Sequence, residues 1–431
     1  MKKRIIAMGA LFCALTSTVI GAGFQTLEQG AANIGNANAG ATVNSNADAS
    51  AAFWNPSSGF NAGLKVGETK LDAAASIVAS TFDFTQTDAN GNELTKSGDA
   101  GTVSVVPNFF LIHQFKEDIL LSLSVTAPYA LETDYDNGWV GSCMALHSNV
   151  TTIDVNPSIA FKVNDWLTVS GGVSAQWLHA KLTNAPFAHL EGPYAAYANN
   201  DELKITGDSW GVGGNIGFTI NYAEDGRIGF QWRSEVSHTA KGSSKTSQRN
   251  QQIAAGMNKR LVGDVEADIS TPHTFNIGWY QRLRGDLKKF AVMAEYSYTM
   301  WSCFEDLTVT FRDSNGTLSS QKEDWRNTSR VALGMHYYAT DDLTLRFGTA
   351  WDQTPIDDDA NRHARIPCTD RIWFTAGVGY KWNNWNFDLG YMYIWFYDDP
   401  KMHDEHSTAK PMYGYFEGRA HVASFQVGYK F

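Results

Sequence analysis

Residues 424–431 alternate small or polar side chains with Phe425, Val427, Tyr429 and Phe431. Successive side chains of a strand point to opposite faces, so this segment has one apolar and one polar face. The alternation recurs from Leu64 onward, interrupted by two kinds of connection. Short polar turns fall near 116–118, 164–165, 224–226, 284–287, 340–342 and 383–384. Longer loops fall near 88–96, 133–147, 182–206, 243–264, 312–318, 353–369 and 399–411. Short and long connections interleave strictly, as tight periplasmic turns and long external loops do in outer-membrane barrels. Six turns and seven loops join 14 strands. The expected fold is therefore all-β, a 14-stranded antiparallel transmembrane β-barrel, with the apolar strand faces toward lipid.

Composition agrees with this and excludes other classes. Apolar residues make up 43% of the chain and charged residues 18%, which rules out disorder. Beyond the N-terminus no apolar run approaches the roughly 20 residues of a membrane helix. The 14 Trp and 17 Tyr suit aromatic girdles at two lipid–water interfaces. Residues 1–22 read as a cleaved secretory leader: Lys2, Lys3 and Arg4, then apolar Ile5–Leu15, then small residues up to a cut after Gly21 or Ala22. Without the leader the formal charge moves from −11 to −14, 31 basic against 45 acidic residues, which argues against nucleic acid as a partner. The location expected is the outer membrane of a Gram-negative cell.

Three cysteines remain after the leader, Cys143, Cys303 and Cys368. One pair could bridge in an oxidising compartment, yet no ligand-like spacing exists, so a structural role or none is expected. The run His403–His406 lacks the helical zinc spacing and reads as a solvated loop. Residues 88–93 read as a hairpin turn rather than a calcium loop. No Ser/His/acid arrangement stands out, so neither an enzyme, a metal nor a cofactor is expected.

Residues 23–63 differ from all that follows, being rich in Gly, Ala, Asn and Ser and almost uncharged. Such a segment cannot hold a core alone, and packing inside something larger fits it best. The chain then divides into leader (1–22), plug or hatch (23–63) and barrel (64–431). Parity within the strands puts Leu343, Leu345, Phe347 and Trp351 outward, and Arg346, Gly348 and Asp352 inward. The same phase sends Arg233, Glu235, Glu295, Arg330, Arg371 and Asp388 into the lumen. Gly172, Gly229, Gly278, Gly334, Gly348, Gly377 and Gly390 gather there too. Interior glycine either admits another backbone, here the plug, or only permits sheet curvature.

Several pieces, in order and at these separations, are recognisable: "AGFQ" (22–25), Asn55-Pro56, "TAPYALETDYDNGW" (126–139), "VNPSIAFKVNDWLTVSGGV" (155–173), "GDSWGVGGNIGF" (207–218), "RIGFQWRSEVSHTAKG" (227–242), "YSYTMWSCFEDL" (296–307), the run 324–356 and "IPCTDRIWFTAGVGY" (366–380). Through them the mature chain resembles the long-chain fatty acid and hydrocarbon transporters of Gram-negative outer membranes, the FadL/TodX type. The resemblance implies a 14-stranded barrel plugged by an N-terminal hatch, with ligand leaving through a lateral opening. It makes Phe24, Asn55, Pro56 and Pro128 the plug and lateral-gate candidates. Three features depart from the pattern: Ser57 where alanine usually follows Pro56, Cys368 where an acidic residue is common, and a short loop at 182–206.

Apolar cargo is badly served by a water-filled pore, because each methylene removed from apolar contact costs about 0.8 kcal/mol. Three regions could serve it better. Phe187, Leu190, Tyr194 and Tyr197 recur at helical spacing and form either an external apolar groove or a small loop helix packed on its neighbours. Pro128 supplies no N–H to a ladder and marks either a gap in the wall or a simple bulge. Arg330, Arg346 and Arg371 could receive a ligand carboxylate, or could pair with interior acids and the plug backbone. The expectation is passive uptake of hydrophobic compounds, foremost long-chain fatty acids, by a monomer embedded in outer-membrane lipid. A general aqueous porin and an aromatic-hydrocarbon channel of the same fold are the alternatives.

Overall fold

The computed structural model describes residues 22–404 and 411–431, the side chains of Pro193 and Tyr194 excepted. The expected leader and the second half of the His403–His406 run lie outside the described residues. No helix among the described residues is long and apolar enough to cross a membrane.

Fourteen antiparallel strands close into one barrel. They are β1 (Thr69–Thr87), β2 (Val103–Lys116), β3 (Ile119–Thr126 and Ala130–Asp134), β4 (His147–Lys162), β5 (Leu167–Asn184), β6 (Leu203–Ala223), β7 (Gly226–Arg233 and Val236–Thr246) and β8 (Gly263–Thr271 and Thr274–Arg282). The circuit continues through β9 (Phe290–Thr299 and Asp306–Phe311), β10 (Thr317–Lys322 and Thr328–Tyr338), β11 (Leu343–Asp352), β12 (Arg371–Trp382), β13 (Trp385–Phe396) and β14 (Met412–Lys430). β14 shuts the barrel against β1 from Lys70↔Lys430 to Thr87↔Tyr413.

Turn chemistry explains the short connections. The Asn164 carboxamide oxygen accepts the N–H groups of Trp166 and Leu167, and Thr340 Oγ1 accepts those of Asp342 and Leu343. Ile277, Leu333, Phe374, Leu389 and Phe425 are exposed on the outer face, as an apolar band requires. Arg330, Arg346, Arg371, Glu295 and Asp388 are buried on the inner one. Glu235 departs from the expected phase. Arg233 pairs with Thr274 and Val236 with Thr271, leaving two residues between inward-facing Arg233 and Val236. That irregularity turns Glu235 outward, beside His273 at 3.9 Å.

Five strands are interrupted, β3 at 127–129, β7 at 234–235, β8 at 272–273, β9 at 300–305 and β10 at 323–327. The interruptions bind one another. The Tyr129 hydroxyl donates to the Pro272 carbonyl at 3.2 Å, the Met300 N–H to that of His273 at 2.9 Å, and the Asp324 N–H to that of Glu305 at 2.9 Å.

Residues 24–60 run against the inward strand faces and are almost entirely buried. They form two single-turn helices, Ala31–Ile34 and Ala51–Trp54, and short 3-10 turns at Ala41–Val43 and Pro56–Ala62. So irregular a backbone needs outside partners for its carbonyls. Lumen side chains supply them: Arg330 donates to Ala37, Thr375 to Gly35, Arg227 to Val43 and Asn44, and Lys70 to Ala47. Six of the seven interior glycines face this segment. A Cβ on Gly377 would lie 2.7 Å from Gly35 Cα, and one on Gly348 would overlap the Asn36 carbonyl carbon. Gly172 is the exception, facing Ser158 and Asn215.

Candidate functional site

Pro128 sits where β3 leaves β2. The β2–β3 ladder ends at Phe109↔Val125, and Ala130–Asp134 pairs only with β4. Proline lacks the N–H that would continue the ladder. The vacated edge is taken by the N-terminal segment. Gln25 and Tyr129 form an antiparallel bridge, the Thr26 N–H donates to the Pro128 carbonyl at 2.8 Å, and the Ala130 N–H to the Phe24 carbonyl at 2.9 Å.

This bridge positions Phe24 at the centre of the interrupted strands. Its ring lies 4.8 Å from Trp301, 5.5 Å from Phe304, 5.8 Å from Trp325 and 5.9 Å from Tyr129, mostly edge-on. Edge-to-face aromatic pairs add about 0.5–1.5 kcal/mol each beyond burial. Gly23 has a left-handed φ of 63°, and a Cβ there would press on Trp325 and Trp301. Trp301, Phe304 and Trp325 were not among the sequence candidates; the breaks in alternation at 300–305 and 323–327 were their only signal.

Next to this cage, with Gln25 and Thr26 in its lining, lies a cavity of about 40 Å³, walled by Leu27, Phe53, Trp54, Pro128, Tyr129 and Arg233 among others. That is room for a few waters and far below the roughly 300 Å³ at which ligand pockets begin. Arg233 and Arg330 both line the cavity, and Arg233 stacks over the Phe53 ring at 4.3 Å. One Nη donates to the Phe53 carbonyl at 3.0 Å, the other stands 3.7 Å from Asp154, and Nε is buried with no partner.

The three arginines singled out from sequence are held differently. Arg371 grips Asp352 at 2.7 and 2.9 Å, and Arg346 pairs with Asp388 at 2.8 Å and with Asn46. Arg330 donates to Ala37 and Ser297. Arg346 and Arg371 are thus engaged with interior acids, whereas Arg330 has no acid partner within ion-pair distance, keeps Nε buried without a partner and lines the same cavity as Arg233. Cys368 leaves the carboxylate role beside Arg371 to Asp352.

Asn55 and Pro56 anchor the far end of the segment. Asn55 caps the 3-10 turn through Ser57 N–H and donates to the Thr42 and Phe218 carbonyls, with Pro56 at the first helical position. The Ser57 hydroxyl, absent from the usual motif, adds contacts at 2.7 Å to Asn55 and Thr219.

The expected helical stripe is not formed. His189 takes a left-handed φ of 58° and Gly192 one of 62°, so residues 186–189 and Gly192–Tyr197 are separate turns. Phe187 is buried, Leu190 half-buried and Tyr197 exposed. The Tyr194 side chain lies outside the described residues. A different apolar surface lines the inner wall above the cavity, made by Leu182, Ile205, Ala240, Val265, Leu307 and Val309. Cys303 and Cys368 are free thiols.

Residues 12–431 match the family model described as outer membrane protein transport protein (OMPP1/FadL/TodX). The chain belongs to this family. It is 28% identical to outer membrane protein P1 of Haemophilus influenzae over 410 residues, covering 86% of each chain. It is 25% identical to the long-chain fatty acid transport protein of Escherichia coli K12, covering 75% of this chain and 78% of that one. Among solved structures, a Pseudomonas aeruginosa FadL homologue superposes with a TM-score of 0.82 at 24% identity, over 95% of this chain and 99% of the other. The Pseudomonas putida toluene transporter TodX gives 0.63 at 14%, over 89% and 94%. These likenesses agree with the fold described above. The protein is thus an outer-membrane transport barrel, and the family consists of channels rather than enzymes. Its cargo at that level is hydrophobic compounds.

Proposed function

We propose that this barrel carries long-chain fatty acids passively across the outer membrane. Residues 23–63 act as the plug, and the exit is lateral, through the break at Pro128. The observation that carries the reading is Phe24, caged by Trp301, Phe304 and Trp325 while the residues that follow it, Gln25 and Thr26, line the cavity and close that break. An alkyl chain entering the mouth meets first the apolar wall of Leu182, Ile205 and Val265, then the Phe24 cage. It gains apolar contact worth about 0.8 kcal/mol per methylene as it replaces Phe24, so chain length drives the opening. Moving Phe24 also strips Gln25–Thr26 from Tyr129 and Pro128, which enlarges the cavity and uncovers the gap in one step.

Arg233 favours a carboxylate over an uncharged aromatic hydrocarbon. A ligand oxygen accepting from its unpartnered Nε leaves the Nη contacts to the Phe53 carbonyl and Asp154 in place. Relatives named as long-chain fatty acid transport proteins support the same choice.

Two measurements test this. Arg233→Gln should weaken oleate binding in calorimetry about tenfold, the value of one charge-assisted hydrogen bond, and leave toluene binding unchanged. A disulfide between Gln25→Cys and Tyr129→Cys, with the native thiols changed to serine, should abolish oleate uptake until reduced. Full uptake by the oxidised protein sinks the proposal.

A further inference from the structure

The wall has a second unzipped stretch, away from Pro128. β6 and β7 pair from Ala223↔Gly226 to Asn215↔Arg233, and again from Asp208↔Lys241 to Leu203↔Thr246. Between these, residues 209–214 and 234–240 have no ladder pairs with each other. Both strands stay zipped on their far sides, β6 to β5 throughout and β7 to β8 from Val236 onward. The lower end is held by Ser234, whose N–H donates to the Gly214 carbonyl while its hydroxyl accepts the Gly214 N–H, each at 2.9 Å. Gly211, Gly213 and Gly214 line the β6 edge. An open seam is costly in a wall that faces lipid, where backbone groups find no water.

Spaces lie on both sides of it. Inside, the cavity lined by Gln25 and Thr26 reaches Gly213, Gly214, Ser234 and Val236. Outside, an open cleft of about 480 Å³ is lined by Trp177, Asp208, Ser209, Trp210, Ser237, Thr239 and Lys241, with Asp208 the cross-strand partner of Lys241. Trp177 and Trp210 are cross-strand partners on the long-loop half of the barrel, where aromatic side chains mark the outer lipid–water boundary. Trp210 and Val212 are among the most exposed apolar residues of the chain, at 69% and 74%. Between the two spaces stands Val236. A Cβ on Gly213 would lie 2.7 Å from Val236 Cγ2, and one on Gly211 would overlap Cγ1.

We infer that the β6–β7 seam is a second lateral opening, closed by Val236, through which a single-chain amphiphile passes between the lumen cavity and the outer leaflet. The chain would lie along Trp177 and Trp210, with its polar head at the level of Thr239 and Lys241. The inference rests on the transport reading above, because it needs the cavity to enlarge.

The test uses the whole protein in phosphatidylcholine vesicles with a diazirine-bearing hexadecanoic acid. Illumination should label residues 209–214 and 234–240 above the level on lipid-facing 385–395 of β13, and unlabelled oleate should compete. Label equal to that of β13, or label that oleate does not displace, overturns the inference. A disulfide between Gly213→Cys and Ser234→Cys, in the serine background, should roughly halve the initial uptake rate by closing the route from the outer leaflet into the cavity while the mouth stays open, reversibly with dithiothreitol. An unchanged rate also overturns it. If the Gln25–Tyr129 lock fails to stop uptake, the transport reading falls; if that lock works and the seam lock does nothing, only the second opening falls.

Discussion

Asn55 shows how one buried side chain fastens an irregular segment. Its oxygen caps the following turn, and its nitrogen reaches both the segment's own Thr42 carbonyl and the wall's Phe218 carbonyl. Asn55→Ala removes the cap and leaves those carbonyls unmatched, about 2 kcal/mol or more. Brief conductive openings in planar bilayers should become more frequent, with the folded barrel still seen on heat-modifiability gels.

At the scale of elements, what lipid contact dictates could be read from sequence, and what lumen packing dictates could not. Parity placed Arg330, Arg346 and Arg371 inward, because an apolar band outside forces strict alternation. It failed at Glu235, where two residues between inward-facing neighbours reverse the phase. The helical stripe from Phe187 to Tyr197 failed because periodicity carries no information about the left-handed residues His189 and Gly192. The aromatic cage was invisible for a similar reason. Trp301 and Trp325 lie where their strands break, and a break contributes no periodic signal. Interior glycine was legible, since a Cβ at Gly348 or Gly377 would strike the N-terminal backbone. Gly348→Val should hold that segment off the wall and raise steady conductance; wild-type conductance would mean that close approach here is not needed for sealing.

The whole molecule couples a buried N-terminal segment to a wall that is incomplete. That segment bridges the break at Pro128, cages one aromatic ring and helps line a cavity too small for cargo. In this account transport requires no water-filled stage, only the exchange of Phe24 for an alkyl chain within the same aromatic surroundings. That exchange can be watched directly by fluorine NMR of the protein carrying 4-fluorophenylalanine at position 24. Titration with oleate should replace the caged resonance with a second one, saturating in step with binding. A single unshifted resonance at full oleate occupancy would contradict the account.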